Sequence, residues 1–433
     1  MSRKLPKLVG IVFFSLALVA IPFLASCAAE EAPLAPPAPP APAPSEQPLK
    51  VGFSLIMTGP AAEKGAPGSG GKLSAIRYVN EELGGVNGHP IEVKWYDNAY
   101  DAAKAPLIVK KLMDDGCLLF TTSSSKMMEA SMAISNREGF PGMAYCGSTK
   151  CVHPPQHVYA MMPMYDDDWV AFAKYYLANI WKGPGKPKMA LHMLSNPVGY
   201  AARAASLAFA EQLGIEIVAE EEHTTTTISE IESLTRIQAL NPDVLWISST
   251  PAPSAVIIKN AYELGMHPGT TIGVCHAGMI QAVIDLSGAS VAEGVYGVSP
   301  VALWGEDAPG EAKMAEYCNK LYPRFYGQTD YMGCWAEGLI VAEILRVALE
   351  NCGYEKLANG GPEAWECVEM NGFRKVKDFS TGGLVGTVDF SDDYDRRGAK
   401  SLRIVKITDG KMSSVSDWIE TEPIHYEEFE WFK

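Results

Sequence analysis

Apolar and polar positions follow one another with the periods of a buried strand and of an amphipathic helix. The continuous apolar run 51–57 predicts a strand, and apolar residues at positions 73, 76, 79 and 83 then stand at helical spacing. From 91 to 95 apolar residues alternate with Glu92 and Lys94, which predicts a second strand. The stretch 51–97 is therefore predicted to be a strand–helix–strand unit, in which the crossover helix makes the two strands parallel.

The connection between the first strand and its helix is rich in glycine. It opens at the carboxyl edge of the predicted parallel sheet, which is where open α/β sheets bind ligands. Residues 58–69 are therefore predicted to form a ligand-binding loop.

The same alternation continues along the chain and predicts an α/β fold. Further strands are predicted at 117–121, 143–146, 189–194, 215–219, 244–248 and 272–275, with a return strand at 291–300. Helical patterns separate most of them, as in doubly wound sheets. Helices at 311–321 and 331–349 have no strand between them, so they are expected to lie on the first sheet. Because 433 residues exceed one ordinary core, two doubly wound Rossmann-like lobes are predicted.

The N-terminus carries the pattern of an export signal. Three basic residues precede the uncharged apolar run 8–24, which ends at Leu24-Ala25-Ser26-Cys27. An uncleaved membrane anchor is the alternative, because the run is nearly long enough to cross a bilayer. The small residues before Cys27 resemble a bacterial lipobox and favour a lipoprotein signal peptide over 1–26. Lipidation of Cys27 would anchor the protein to the bacterial membrane, outside the cytoplasm.

Residues 27–48 are dense in proline and alanine and show no periodic apolar face. Such a composition favours extended polyproline II structure, so this segment is predicted to be a tether. The chain carries 36 basic and 51 acidic residues, a net charge of −15, which excludes nucleic acid as a partner.

Nine cysteines occur in a chain predicted to be exported. Cys352 with Cys367 is the first choice for a disulfide and Cys146 with Cys151 the second, whereas Cys117 is expected to be a buried thiol. Cys146 and Cys151 also stand near two histidines, His153 and His157, which are side chains of the type that binds zinc. Their spacing matches no compact zinc module, so a disulfide or two free thiols is favoured, and neither a metal nor a cofactor is expected.

Enzyme motifs are missing from the sequence. Residues 65–72 resemble a P-loop, but Ala66 stands where its first glycine is required and Leu73 where its Ser or Thr is required. There is also no nucleophile elbow and no dinucleotide fingerprint. The chain is therefore predicted to bind a ligand without transforming it. A secreted hydrolase is the alternative from a different class.

A serine triplet follows the strand at 117–121. Ser123, Ser124 and Ser125 offer hydroxyl and backbone N–H groups at the start of a predicted helix, an arrangement that favours a carboxylate or another anionic oxygen. Helix capping is the alternative role, and one of the serines is expected to serve as a cap.

Several stretches of the sequence resemble one protein family. They are TGPAAEKG at 58–65, VNEELGGVNGHPIEV at 79–93, the serine triplet, and NPDVLWISS at 241–249. The chain resembles the leucine/isoleucine/valine-binding proteins, the extracytoplasmic solute receptors of ABC importers. The resemblance implies a type I periplasmic-binding-protein fold, with lobe 1 at 49–164 plus 300–386 and lobe 2 at 165–299 plus 387–433, joined by a multi-strand hinge. It also implies an ABC permease as partner. A ligand-sensing receptor of the same fold is a further alternative.

The resemblance implies a ligand site at two sets of loops. In lobe 1 the ligand's carboxylate would be held by Ser123, Gly147 and Ser148. In lobe 2 the pattern departs from the family. Val198 stands where an aromatic residue is usual, with Tyr200 displaced by two positions, and Thr250 replaces another aromatic contact. No acid stands near His276 to receive an ammonium group, and a buried His276 beside an ammonium is expected to be neutral and to offer only one acceptor.

These departures lead to an expectation about the ligand. The side chains available are Met57, Tyr200, His276 and Trp304, which suit a flat or apolar carboxylate or a small amide better than a zwitterion. Such a ligand is expected to bind at least about tenfold more tightly than leucine. An acid remote in sequence, such as Glu63 or Asp166, could alternatively serve the ammonium group.

Overall fold

The computed structural model describes residues 47–429. The predicted signal peptide, Cys27 and the tether up to residue 46 lie outside the described residues. Among the helices of the described part, none is both long and apolar enough to cross a membrane.

Within 47–429 the strands form two sheets. They are β1 (Leu49–Leu55), β2 (Ile91–Asp97), β3 (Phe120–Thr122), β4 (Gly142–Ala144), β5 (Val158–Ala160), β6 (Lys188–Leu194), β7 (Glu216–His223), β8 (Val244–Ser248), β9 (Thr271–Val274), β10 (Tyr296–Ser299), β11 (Ser401–Thr408), β12 (Lys411–Ser414) and β13 (Ile419–Glu420). The first sheet has the order β2-β1-β3-β4-β5 and is parallel throughout. The predicted strand–helix–strand unit is confirmed, because Leu49 pairs with Ile91 in parallel register.

The second sheet has the order β12-β11-β10-β9-β8-β6-β7, with β13 paired to β11. Its members from β6 to β10 are parallel, whereas β11 runs antiparallel to β10 and to β12. All five residues of β8 are buried, as expected for a strand covered on both faces.

Helices lie between the strands along the chain. They are α1 (Ala62–Glu82), α2 (Ala105–Asp114), α3 (Ser125–Glu138), α4 (Tyr165–Tyr175), α5 (Pro197–Leu213), α6 (Ile231–Gln238), α7 (Pro251–Glu263), α8 (Gln281–Ser287), α9 (Ala289–Ala292), α10 (Glu311–Leu321), α11 (Thr329–Cys352), α12 (Tyr354–Leu357) and α13 (Pro362–Cys367). A π-helical turn, Tyr176–Ile180, continues α4. The α/β fold class predicted from the sequence is confirmed.

The chain returns to the first sheet after β10. Helices α10 and α11 pack on α1, and β11 then joins the second sheet beside β10. The prediction that these two helices lie on the first half is confirmed. It follows from their apolar faces, which have no strand of their own to cover.

The prediction of a long ligand loop is wrong for residues 62–69, because α1 begins at Ala62 and contains Pro67. Its glycines serve close packing between helices. A Cβ on Gly71 would collide with the carbonyl oxygen of Tyr331 in α11, and one on Gly338 would lie 2.6 Å from the Cβ of Ala75. Glycine here brings two helix backbones together, so it does not mark a flexible segment.

The cysteines divide into one disulfide and several thiols. Cys352 and Cys367 form a disulfide, which confirms the first choice. The second choice is wrong, because Cys146 and Cys151 are both free and buried. The thiol of Cys146 instead accepts a hydrogen bond from the Tyr165 hydroxyl at 2.8 Å. Cys117 is a buried free thiol, as predicted.

Candidate functional site

Loops from both sheets enclose one small cavity at the carboxyl ends of the strands. From the first sheet it is lined by Ile56, Tyr100, Ser123, Ser124, Tyr145 and Cys146, and from the second by Val198, Thr250 and Ala277. Helices contribute Ala61, Lys64, Gly65 and Gly68 from the start of α1, Tyr165 from α4, and Asp330 and Cys334 from α11. The cavity measures about 20 Å³, room for about one water molecule.

Helix N-termini face this cavity from both sides. Ser124, Asn196 and Thr250 are the N-cap residues of α3, α5 and α7. The Asn196 side chain accepts a hydrogen bond from the Val198 N–H at 2.9 Å. Ser124 has an extended backbone, but its hydroxyl makes no capping hydrogen bond. The expectation that a serine of the triplet would cap α3 through its side chain is therefore not met by Ser124.

Lys64 of α1 and Asp330 of α11 form a buried ion pair in the wall of the cavity. Lys64 Nζ lies 2.5 Å from Asp330 Oδ1, with side-chain exposures of 11% and 4%. Burial lowers the pKa of Lys64, but the Asp330 carboxylate outweighs this and raises that pKa above its usual value. Among the described residues, the other carboxylate oxygen of Asp330, Oδ2, has no hydrogen-bond partner although it is buried. An unpartnered buried oxygen at a cavity is a group that a ligand can satisfy.

His276, in the loop after β9, and Asp168, on α4, form a second buried pair. His276 Nδ1 lies 2.8 Å from Asp168 Oδ2, and the His276 backbone N–H donates to the same oxygen at 2.9 Å. Burial lowers the pKa of His276, but Asp168 outweighs it and raises that pKa to about 9. Asp168 therefore favours the protonated form of His276, and the expectation of a neutral imidazole beside a ligand ammonium stays a prediction. Its ring stacks on Tyr165 with centroids 4.7 Å apart, and its Nε2 has no partner within 47–429.

The acids at the site come from positions that the sequence patterns did not indicate. Asp168 lies on α4 and pairs with His276 without lining the cavity, whereas Asp330 lies on α11 and lines it. The inference that no acid close to His276 in sequence serves a ligand ammonium stays a prediction. Neither of the remote acids considered, Glu63 and Asp166, lines the cavity. Asp166 accepts hydrogen bonds from the Thr149 N–H and the Tyr426 hydroxyl, and burial raises its pKa to about 7.

The structure brings only some of the predicted residues together. Ser123, Ser124 and Thr250 line the cavity, and His276 adjoins it through Tyr165 and Ala277.

Ser148 and Tyr200 line a neighbouring groove of about 330 Å³, where the Ser148 hydroxyl donates to Glu129 at 2.6 Å. Gly147 packs against Met164, whose Cε would lie 2.7 Å from an added Cβ.

Met57 and Trp304 lie outside the cavity lining. The Met57 N–H donates to Asp97 at 3.0 Å, and the Trp304 indole N–H donates to the Gln328 carbonyl at 2.9 Å.

Sequence reasoning missed Lys64, Tyr145, Tyr165 and Asp330. One signal could have found Lys64, because it stands on the glycine-rich face of α1 that packs into the protein, where a charge needs a partner. The partner itself lies 266 positions away and has no local signature.

The histidines near Cys146 and Cys151 in sequence contact other residues in the structure. His157 Nδ1 lies 2.5 Å from Glu369, and His153 stacks on Tyr394. Across residues 47–429, no group of three or more His, Cys, Asp or Glu side chains is arranged to hold a metal ion.

The sequence model of the family described as "Periplasmic binding protein" matches residues 48–411. A solved branched-chain amino acid ABC transporter from Thermus thermophilus with bound valine aligns with a TM-score of 0.78 at 21% identity, covering 88% of this chain and 99% of that chain. A fatty acid ABC transporter substrate-binding protein from Thermomonospora curvata aligns with a TM-score of 0.75 at 19% identity, covering 88% and 95%. At these identities the likeness shows the fold alone.

A curated relative shares a shorter stretch. The leucine-, isoleucine-, valine-, threonine- and alanine-binding protein of Pseudomonas aeruginosa is 37% identical over 68 residues. That match covers 16% of this chain and 18% of the relative's own length.

Proposed function

The chain belongs to the periplasmic binding protein family, and from this premise we propose that it is the extracytoplasmic solute receptor of an ABC importer. It binds a small organic molecule between two lobes and delivers it to the permease. The observation that carries the proposal is that loops from both sheets line one cavity, so a ligand there would contact both halves of the chain. Binding energy from both halves then favours the closed arrangement, which a permease can recognise.

The lobes proposed are 49–164 plus 300–386 and 165–299 plus 387–433. The cavity of about 20 Å³ has too little room for an amino acid or a comparable solute. Its walls must therefore separate to admit one, and a hinge between the lobes supplies such a motion.

The names of the relatives support a small organic ligand but do not identify it. One structure holds valine, another belongs to a fatty acid transporter, and the Pseudomonas aeruginosa relative is named for five amino acids. Amino-acid-like molecules, carboxylates and amides are therefore the candidate ligands for this chain.

Binding without catalysis suits the groups at the cavity. The Cys146 thiol accepts from the Tyr165 hydroxyl, and His276 is held by Asp168, which favours its protonated form. A protonated imidazole cannot activate a nucleophile as a base.

The protein is proposed to be attached to the membrane through lipid on Cys27, with residues 27–48 as the tether.

Native mass spectrometry of freshly purified protein tests the proposal. A small molecule should be carried over in about equimolar amount and be lost after unfolding and refolding. The variant Ala277→Phe should purify without it, because a ring at Ala277 fills the cavity. Ala103→Phe, at an exposed position, is the matched control and should retain it. A wild-type protein that carries nothing, and binds no small solute after refolding, would contradict the receptor function.

A further inference from the structure

We propose that the buried pair Lys64–Asp330 is the element that selects the ligand, and that this ligand is an uncharged carboxamide in preference to a carboxylate or an α-amino acid. The inference rests on the proposed function and narrows the chemistry of the same cavity. Two geometric observations support the proposal. Lys64 Nζ is 2.5 Å from Asp330 Oδ1, and both residues line the cavity.

The pair presents a donor next to an acceptor. Lys64 has three N–H donors and needs only one for Asp330. Asp330 Oδ2 is buried and, among residues 47–429, has no hydrogen-bond partner. A carboxamide carries a carbonyl acceptor and N–H donors on adjacent atoms, so its oxygen can accept from Lys64 while its nitrogen donates to Asp330.

The charges at the cavity cancel. Lys64 and His276 are held as cations by Asp330 and Asp168, their respective partners. A ligand with a net charge would leave one buried charge uncompensated, which is costly. Glu63 stands beside Lys64 outside the lining, and any charge on it would oppose an anion further.

A zwitterion also fits poorly at this pair. An ammonium group that approaches Asp330 Oδ2 also approaches the Lys64 cation, and a carboxylate that approaches Lys64 also approaches the Asp330 anion, because the pair is so short. An amide meets both groups through partial charges of the correct sign. The apolar side chains of Ile56, Val198 and Ala277 complete the walls for the rest of the molecule, together with the hydroxyl of Thr250, which has no hydrogen-bond partner within 47–429.

A matched series of probes tests the preference. Refolded protein is titrated by calorimetry with 3-methylbutanamide, 3-methylbutanoate and valine, which share one carbon skeleton. The sets acetamide, acetate and alanine, and benzamide, benzoate and phenylalanine, cover smaller and larger ligands. In at least one set the amide should bind at least about tenfold more tightly than its acid and its amino acid. The inference is overturned if, in every set with a measurable ligand, the acid or the amino acid binds more tightly than the amide. It is also overturned if none of the three amides binds.

Two double variants test the role of the pair. Lys64→Met with Asp330→Leu removes both charges together, so no unpaired charge is left buried. The control is Lys72→Met with Glu337→Leu, because Lys72 and Glu337 form a fully buried 2.8 Å pair on the same two helices and do not line the cavity.

The readout is the ratio of amide to carboxylate affinity within each protein, with folding checked by urea unfolding. In Lys64→Met with Asp330→Leu, the ratio of amide to carboxylate affinity should fall at least about tenfold. In the control, Lys72→Met with Glu337→Leu, the ratio should not change. The single variant Asp330→Asn, which leaves Lys64 unbalanced, should shift the ratio toward the carboxylate. An unchanged ratio in both Lys64–Asp330 variants overturns the inference.

Failure of the inference is distinguishable from failure of the receptor function. If a carboxylate or an amino acid is the tightest probe, the chain is still a receptor and only the amide assignment falls. If no probe binds and native mass spectrometry finds no carried molecule, both fall.

Discussion

The imidazole of His276 lies 2.8 Å from the Asp168 carboxylate, although the two residues are 108 positions apart. This pair ties the loop after β9 to the first turn of α4, and the Tyr165 ring covers the imidazole from the cavity side. A buried charged pair of this kind makes the stability of the fold depend on pH.

We expect the free energy of unfolding to fall as pH rises through about 9. The folded pKa of His276, about 9, lies above the ordinary value of 6.5. The stabilisation is therefore complete below about pH 6.5 and is lost as pH rises through the folded pKa, by roughly 2 to 4 kcal/mol. Urea unfolding across this range measures it. His276→Gln should lose this pH dependence and the exposed control His425→Gln should keep it; equal slopes in wild type and His276→Gln would contradict the assignment.

Ser123→Ala should weaken binding of the carried ligand. Ser123 lines the cavity, where its hydroxyl lies 3.8 Å from the Cys334 Sγ. Loss of one hydrogen bond to the ligand costs about 0.5–1.5 kcal/mol if the ligand is uncharged and up to about 3 kcal/mol if it is a carboxylate. Ser131→Ala is the control, because Ser131 bonds to Met127 within the same helix and does not line the cavity. Calorimetry that finds equal affinity for wild type and Ser123→Ala would remove this serine from the site.

Replacement of both Cys352 and Cys367 by serine should reduce the free energy of unfolding by about 3 kcal/mol, as expected when a loop of this length is no longer closed. The disulfide lies at the end of α11 opposite Asp330, so ligand affinity should not change. Urea unfolding and calorimetry measure the two quantities. Wild-type protein kept in a reducing agent should match the variant, and a variant as stable as the oxidised protein would contradict the prediction.

Cys27→Ser should abolish lipid attachment. The test is metabolic labelling with a radioactive fatty acid in a bacterial host, followed by fractionation of membranes. Wild type should carry label and sediment with membranes, whereas the variant should be unlabelled. Ser26→Ala keeps a small residue before the cysteine and serves as the control. Label on the Cys27→Ser protein would show that the lipobox interpretation is wrong.

Local sequence patterns were sufficient to predict most of the strands and helices. Strand β8 and helix α10 have the predicted bounds, because a continuous apolar run and a helical period each determine one element locally. The start of α1 was misplaced, since its glycines and Pro67 ordinarily mark a loop. The contacts of Gly65 with Ile56 and of Gly68 with Cys334 of α11 show why glycine is needed there, and both contacts are tertiary.

The candidate site was less accessible from sequence. Ser123 and Thr250 were found because they follow strands at the ligand edge of the sheets. Asp168 and Asp330 were missed because their partners, His276 and Lys64, are remote in sequence. Ion pairs between distant elements leave no periodicity, so the three consecutive aspartates in the first turn of α4 gave no indication of which one would pair with His276.

The close contact of α1 with α11 places Lys64 and Asp330 on two helices that are packed together before any ligand arrives. Because Gly71 and Gly338 leave no space for a side chain between the helices, the backbones that carry Lys64 and Asp330 are held close together, and burial restricts the two side chains of the pair. The entropy of ordering this donor and acceptor is therefore lost during folding, so it does not weaken binding. Gly71 and Gly338 therefore contribute to the geometry of the ligand-facing groups from outside the cavity lining.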